Sequence, residues 1–157
     1  METLEPSPNE FVVRERGNKA LDRASVAGEV ELVDAKSGTW VLRTSATQAR
    51  AGWQALAGRL GAGAEVLPVL RDRDGVAHYP TGEVTVRFAR APGDAALRAF
   101  AREQGLALTR RNELEPRQVV FAPPAGRDWL PDVVERVALV RGVERAWANT
   151  VSRYERA

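Results

Sequence analysis

His78 is the single histidine among 157 residues. A lone histidine is the first place to look for acid–base or nucleophile-activating chemistry near neutral pH. It lies in "GVAHYPTG". A triad would need a serine and a carboxylate beside it in a pocket. Nothing around it resembles a nucleophile elbow, so His78 reads as a linker or surface residue. The turn "RDRDG" offers two carboxylates with an arginine between them. A calcium loop needs further oxygen ligands that this stretch lacks, so the turn reads as solvated. There is no cysteine, which excludes disulfides, thiol catalysis and thiolate zinc sites. No glycine-rich phosphate loop follows a strand pattern. The expectation is a non-enzyme, with no catalytic, metal-binding or cofactor-binding residues.

The bulk values place the elements in context. Apolar residues make up 44% and charged residues 28% of the chain, ordinary values for a globular protein. The length suits one domain or two very small ones. The formal charge is only +2, and acids are interleaved with bases, which disfavours a general nucleic-acid binder. The opening "METLEPSPNE" has neither the basic start nor the apolar run of a signal peptide. No apolar stretch is long enough to span a bilayer. A cytoplasmic location and no membrane partner are expected.

Periodicity then divides the chain. Residues 1–10 carry two prolines and no apolar rhythm, and read as disordered. "EFVVRERG" starts as a short strand, and "NKALDRASVAG" is weakly helical. "GEVELVDAKSGTWVLRT" alternates as a hairpin through Val30, Leu32, Trp40 and Leu42. In "SATQARAGWQALAGRLG", Ser45 and Gln48 have capping-box spacing, and Ala49, Trp53, Leu56 and Leu60 share one helical face. "AEVLPVLRDRDG" is a strand in which Pro68 demands a sheet edge or a bulge.

The second half is more regular. "GEVTVRFA" puts Val84, Val86 and Phe88 on one side. "PGDAALRAFAREQG" is a helix burying Leu97, Phe100 and Ala101, with Gly105 as the stop. "LALTRR" and "RQVVFAP" are strands. "GRDWLPDVVERVALVRG" is a helix, capped by Asp128, with Leu130, Val133, Val134 and Val137 as its buried stripe. "VERAW" closes as a strand.

The expected fold class is α+β, a ferredoxin-like βαββαβ antiparallel sheet with both helices on one face. A degenerate unit of the same kind precedes it. The expected divisions are a disordered start at 1–10, the degenerate unit at 11–80, the well-formed unit at 81–147 and a tail at 148–157. The tail has no apolar rhythm yet carries Val151 and Tyr154.

The same strand order occurs in RNA-recognition domains, which stack bases on aromatics of the central strands. Here Phe88 and Phe121 fall in phase with core valines, and the glycine-aromatic RNA motif is absent. An RNA-binding or small-molecule-regulatory module is the alternative reading. Trp129 opens a helix and reads as a staple to the core. Trp147 stands where the last strand meets the tail, either ending the core or anchoring a partner.

"TGEVTVRFA", a helix, "GLALTRR", "RQVVFAPPAG", a valine-rich helix and "VRGVERAWANT" together resemble the N-terminal pro-domains of subtilisin-like serine proteases, of the fervidolysin-like type. Gly142, Val143, Ala146 and Asn149 match the family's closing motif. Ala148 and Thr150 depart from its proline and its aromatic. The resemblance covers residues 81–157. It implies an inhibitor or intramolecular chaperone that docks an open sheet face on a subtilisin-like protease and lays its tail into the cleft as an added strand. The implied partner-binding residues are Thr85, Arg87, Thr109 and Arg111 on the open face. Trp147, Asn149, Thr150, Val151, Ser152, Arg153 and Tyr154 are implied along the exit.

Overall fold

The computed structural model describes residues 4–15, 39–61, 64–124 and 128–151. Among them the fold is α+β. The order is β1 (Glu5–Glu15), β2 (Thr39–Arg43), α1 (Ala49–Leu60), β3 (Ala64–Arg71), β4 (Ala77–Phe88), α2 (Asp94–Gln104), β5 (Ala107–Arg111), β6 (Gln118–Ala122), α3 (Leu130–Ala138) and β7 (Val143–Val151). The registered strand pairs are all antiparallel. The chain divides into two compact units, Met1–Pro80 with Thr150–Ala157, and Thr81–Asn149.

In the first unit β1 lies between β2 and β3. Phe11, Val12 and Val13 are all buried. Successive strand side chains point to opposite faces, so both faces of β1 are covered here. The strand begins at Glu5, which corrects the expectation of disorder for residues 5–10; residues 1–3 lie outside the described residues. Composition cannot see the reason. The Glu10 carboxylate takes two hydrogen bonds from Arg71 Nη2, at 2.7 and 2.8 Å, and a third from Arg71 Nε at 3.0 Å. Buried Ser7 donates its hydroxyl to the same carboxylate at 2.9 Å. The partner that orders this segment is 61 residues away in sequence.

The prolines sit where the ladder is irregular. Between the pairs Pro6↔Leu70 and Phe11↔Pro68, residues 7–10 stand against Val69 alone. Proline has no N–H to give a ladder, and a bulge tolerates that. Pro68 lies beside a bulge whose extra residues belong to β1 and not to β3, and β3 is no edge strand, being flanked by β1 and by β4 through Leu70↔His78 and Arg71↔Ala77.

Burial pushes the Glu10 pKa up. The hydrogen bonds from Arg71 and Ser7 and the charges of Arg71 and Arg43 outweigh it, leaving the group below its ordinary value. A carboxylate held low in the fold stabilises it above the unfolded pKa, and that contribution is lost as pH falls through the folded value. The first unit should therefore lose stability as pH drops below about 4.3. In Glu10→Gln the melting temperature should be lower at pH 7, and its fall on acidification shallower. Thermal melts of both proteins from pH 7 to pH 3 check this; parallel curves would contradict it.

α1 buries Trp53, Leu56 and Leu60 as its spacing requires. The expected capping box does not form. Gln48 is the N-cap, without a side-chain cap bond, and Thr44 Oγ1 instead accepts the Ala46 amide at 3.2 Å. Gly52 lets the helix approach β1 closely. A Cβ there would lie 2.7 Å from Ala46 Cβ and 2.9 Å from Phe11 Cζ. Alanine normally gains about 1 kcal/mol over glycine inside a helix. Here overpacking, at about 1–3 kcal/mol, should outweigh that gain. Gly52→Ala is expected to lower the urea midpoint; a raised midpoint would show that the helix can shift outward freely. The first arm of the expected hairpin and the weak helix "NKALDRASVAG" lie outside the described residues. The second arm is β2, whose described partner is β1.

In the second unit the strands lie in the order β7, β4, β6, β5. Val84 pairs with Phe121 and Val86 with Val119, and all four are fully buried. Phe100 of α2 packs its ring edge against Phe88, centroids 5.1 Å apart, and lies 5.2 Å from Phe121. These contacts put α2 on the Val84–Val86–Phe88 face. Gly105 ends α2 at φ 66, donating to the carbonyls of Ala101 and Arg102; only glycine adopts that conformation without strain. α3 buries Leu130, Val133 and Val137, while Val134 is half-buried. Its N-cap is Trp129 and not the expected Asp128, and Pro131 occupies the first turn. Arg136 Nη2 donates to Gln104 O at 2.9 Å, tying α3 to the end of α2.

Candidate interaction site

The candidate chemistry resolves into structure. His78 is a residue of β4, mostly buried, and its Nε2 lies 2.9 Å from Asp72 Oδ2. The other Asp72 oxygen accepts the amides of Asp74 and Val76 at 2.9 and 3.0 Å. The His78 hydrogen bond, then the Val76 and Asp74 amides, hold the Asp72 carboxyl below its ordinary pKa against weak desolvation. The pair closes the β3–β4 turn with its acceptors already engaged. His78 is thus a structural residue of a strand, not the surface linker expected. No group of three or more potential metal ligands occurs among the described residues. A shallow groove of about 650 Å³ runs between the ends of α2 and α3, lined by Arg102, Gly105, Arg136 and Leu139 among others. It lacks the enclosed apolar walls of a small-molecule pocket.

The face of β4 away from α2 carries Glu83, Thr85 and Arg87, by the two-residue period. One row across the strands is Thr85↔Val120↔Arg110; the next residue of β4, Val86, heads the opposite-face row Val86↔Val119↔Arg111. A bulge between Leu108 and Arg110 shifts the phase of β5. The expected face positions Thr109 and Arg111 are therefore corrected. Thr109 lies in the bulge, and Arg111 belongs to the helix-bearing face, where its guanidinium reaches Pro92 O and lies 3.7 Å from Asp94. Arg110 takes the face position instead, with its guanidinium 2.7 Å from Glu83 Oε2. The hydrogen bonds that Arg110 donates to Glu83, then the Glu83 charge, raise the Arg110 pKa.

Thr85 is 6% exposed. Its hydroxyl donates to Asn149 Oδ1 at 2.6 Å, so it is engaged internally and not offered to a partner. Arg87 is half-buried, with Glu115 and Glu144 carboxylates at 3.9 and 4.0 Å. Arg117 joins the same carboxylates at 3.2 and 3.7 Å. The Arg117 hydrogen bonds hold Glu115 below its ordinary pKa. These four charges, three half-buried and Glu144 exposed, alternate in sign along a rim, where such pairs give register more than stability. The sequence reading does not mark Glu83, Glu115 or Glu144, and it takes Arg110 as solvated charge and not as a face residue. Only the bulge residue hides the phase of Arg110; the acids carried no signal beyond being interleaved with arginine.

β7 runs through Val151, so residues 148–151 extend a strand, which corrects the expected tail boundary at 148. Asn149 is held twice, through Thr85 and through Thr81 Oγ1, which donates to Asn149 O at 3.4 Å. Thr150 is half-buried and Val151 is 37% exposed. Ser152, Arg153 and Tyr154 lie outside the described residues. Trp147 is half-buried, with the Arg145 guanidinium 5.2 Å from its ring centroid. Trp129 is buried in the core, as a staple would be. Leu114, which no periodic pattern marked, is 98% exposed. It sits on a loop braced by Asn112 Oδ1, which accepts the Leu114 and Glu115 amides at 3.0 and 3.2 Å.

No family model matches the chain, and no curated protein or solved structure matches it either.

Proposed function

We propose that this chain is a non-catalytic binding protein of the subtilase pro-domain type, which holds a subtilisin-like serine protease as inhibitor or folding chaperone. The ferredoxin-like arrangement is part of the reading. Its support is the element order from β4 to β7, two βαβ-like halves with β7 and β6 flanking β4 and β5 outermost. One observation carries the functional step. β7 pairs with β4 and is extended through Val151, so the last described residues are already in strand conformation. A strand of that kind is pre-organised to add to a partner's sheet edge or cleft through main-chain hydrogen bonds. With Asn149 tied to Thr85, the portion left for a partner starts at Thr150 and Val151. Leu114 and the alternating charges of Arg87, Glu115, Arg117 and Glu144 give the flat contact an apolar point and a complementary rim.

The RNA-binding alternative draws less support. Phe88 and Phe121 are 8% and 0% exposed, which takes the central-strand aromatics away from any base.

The test is a titration of the chain into a subtilisin-type protease assayed on a chromogenic peptide, beside a variant truncated after Val151. Inhibition by the full chain that weakens by at least about tenfold on truncation is expected, the loss of one or two good contacts. No inhibition and no effect on protease refolding would overturn the reading.

A further inference from the structure

The Thr85–Asn149 contact joins a central strand to the end of the exit strand, and both residues belong to the second unit. Thr85 is more than nine-tenths buried. Its hydroxyl bond to the Asn149 amide, 2.6 Å long, spans 64 residues of sequence. Thr81, four positions earlier on β4, donates to the main-chain carbonyl of the same asparagine. One residue is thus gripped by side chain and by backbone, from two positions of one strand. These two grips on one residue add to the β4–β7 pairing in holding the register, and a slip of one residue would turn every following side chain to the opposite face. Arg145 rests on Trp147 of its own strand, and Glu144 meets two arginines only at 3.7 and 4.0 Å.

We infer that Thr85 is a positioning residue, whose hydroxyl sets the side-chain phase with which the chain leaves β7. Fixing Asn149 against β4 fixes with it the side on which Val151 lies, because residues two apart in a strand share a face. The inference rests on the reading above, that this exit strand enters a protease cleft. The substrate-like specificity of the insertion then depends on a residue that never touches the protease. Leaving Asn149 Oδ1 without its donor removes the side-chain grip, while Thr81 and the β4–β7 pairing still hold the backbone.

The experiment compares wild type, Thr85→Val, Thr85→Ser and Val151→Ala as inhibitors of a subtilisin-type protease, with melting temperatures alongside. Thr85→Val is expected to weaken inhibition by about tenfold, the worth of one buried hydrogen bond. Thr85→Ser, which keeps the hydroxyl, should restore it. The effect of Val151→Ala should shrink in the Thr85→Val background, because Val151 is then no longer presented in one phase. Equal inhibition by Thr85→Val and wild type, or independent effects of the two substitutions, would overturn the inference while leaving the binding reading intact. If wild type itself does not inhibit, the binding reading fails, and amide exchange of the free protein decides the clasp. Faster exchange at residues 149–151 in Thr85→Val, with α2 unchanged, supports it; identical exchange overturns it.

Discussion

Phe121→Ala is expected to lower the stability of the second unit by about 3–5 kcal/mol, the usual range for removing a buried phenylalanine. Phe121 is fully buried at the centre of β6. It pairs with Val84 on one side and Leu108 on the other. Its ring lies 5.2 Å from that of Phe100, which in turn packs edge-on against Phe88. Truncation removes the β6 ring from this strand–helix cluster and leaves a cavity that branched neighbours cannot fill. Small domains have total stabilities of only about 5–15 kcal/mol, so the loss should bring the unit close to unfolding. Urea unfolding followed by circular dichroism measures it. A loss below about 1 kcal/mol would mean that the core collapses around the gap, contrary to the packing described.

Trp53→Ala should cost a similar amount in the first unit, again about 3–5 kcal/mol. The indole is buried between α1 and β3, and its Nε1 donates to the Val66 carbonyl at 3.0 Å. Two effects therefore combine, lost apolar burial and a buried carbonyl left without its donor. Trp53→Phe separates them. It keeps most of the ring and loses the hydrogen bond, so its cost should be about 1–3 kcal/mol. Urea midpoints for both variants check the ordering. Equal costs would assign the whole effect to the hydrogen bond and none to packing.

Most elements of the second unit were legible because their signals are local. Alternating valines marked β4, and Leu97, Phe100 and Ala101 marked the buried side of α2. What was lost depended on distant partners. Residues 5–10 looked disordered because nothing near them reveals Arg71. The tail looked free from residue 148 because the Asn149 grip comes from Thr85, 64 positions earlier. His78 reads like a linker because its carboxylate partner, Asp72, belongs to a turn whose composition reads as solvated. The candidate face was half legible for a different reason. Thr85 and Arg87 fall in phase with β4, but a single-residue bulge in β5 exchanged Arg111 for Arg110. Bulges invert every later assignment on a strand and leave no composition signal in "LALTRR". The side-chain cap expected at Ser45 failed because capping spacing is a local pattern that the chain path from β2 overrides.

The central claim is that a foreign polypeptide is held by the extended exit of β7 and the sheet face beside it. Amide hydrogen exchange of the chain alone and with a stoichiometric, active-site-blocked subtilisin-type protease tests it most directly. The account predicts slowed exchange from Thr150 onward and at the Leu114 loop, with α2 and α3 unchanged. Protection confined to the helices, or no protection at any residue, would contradict it.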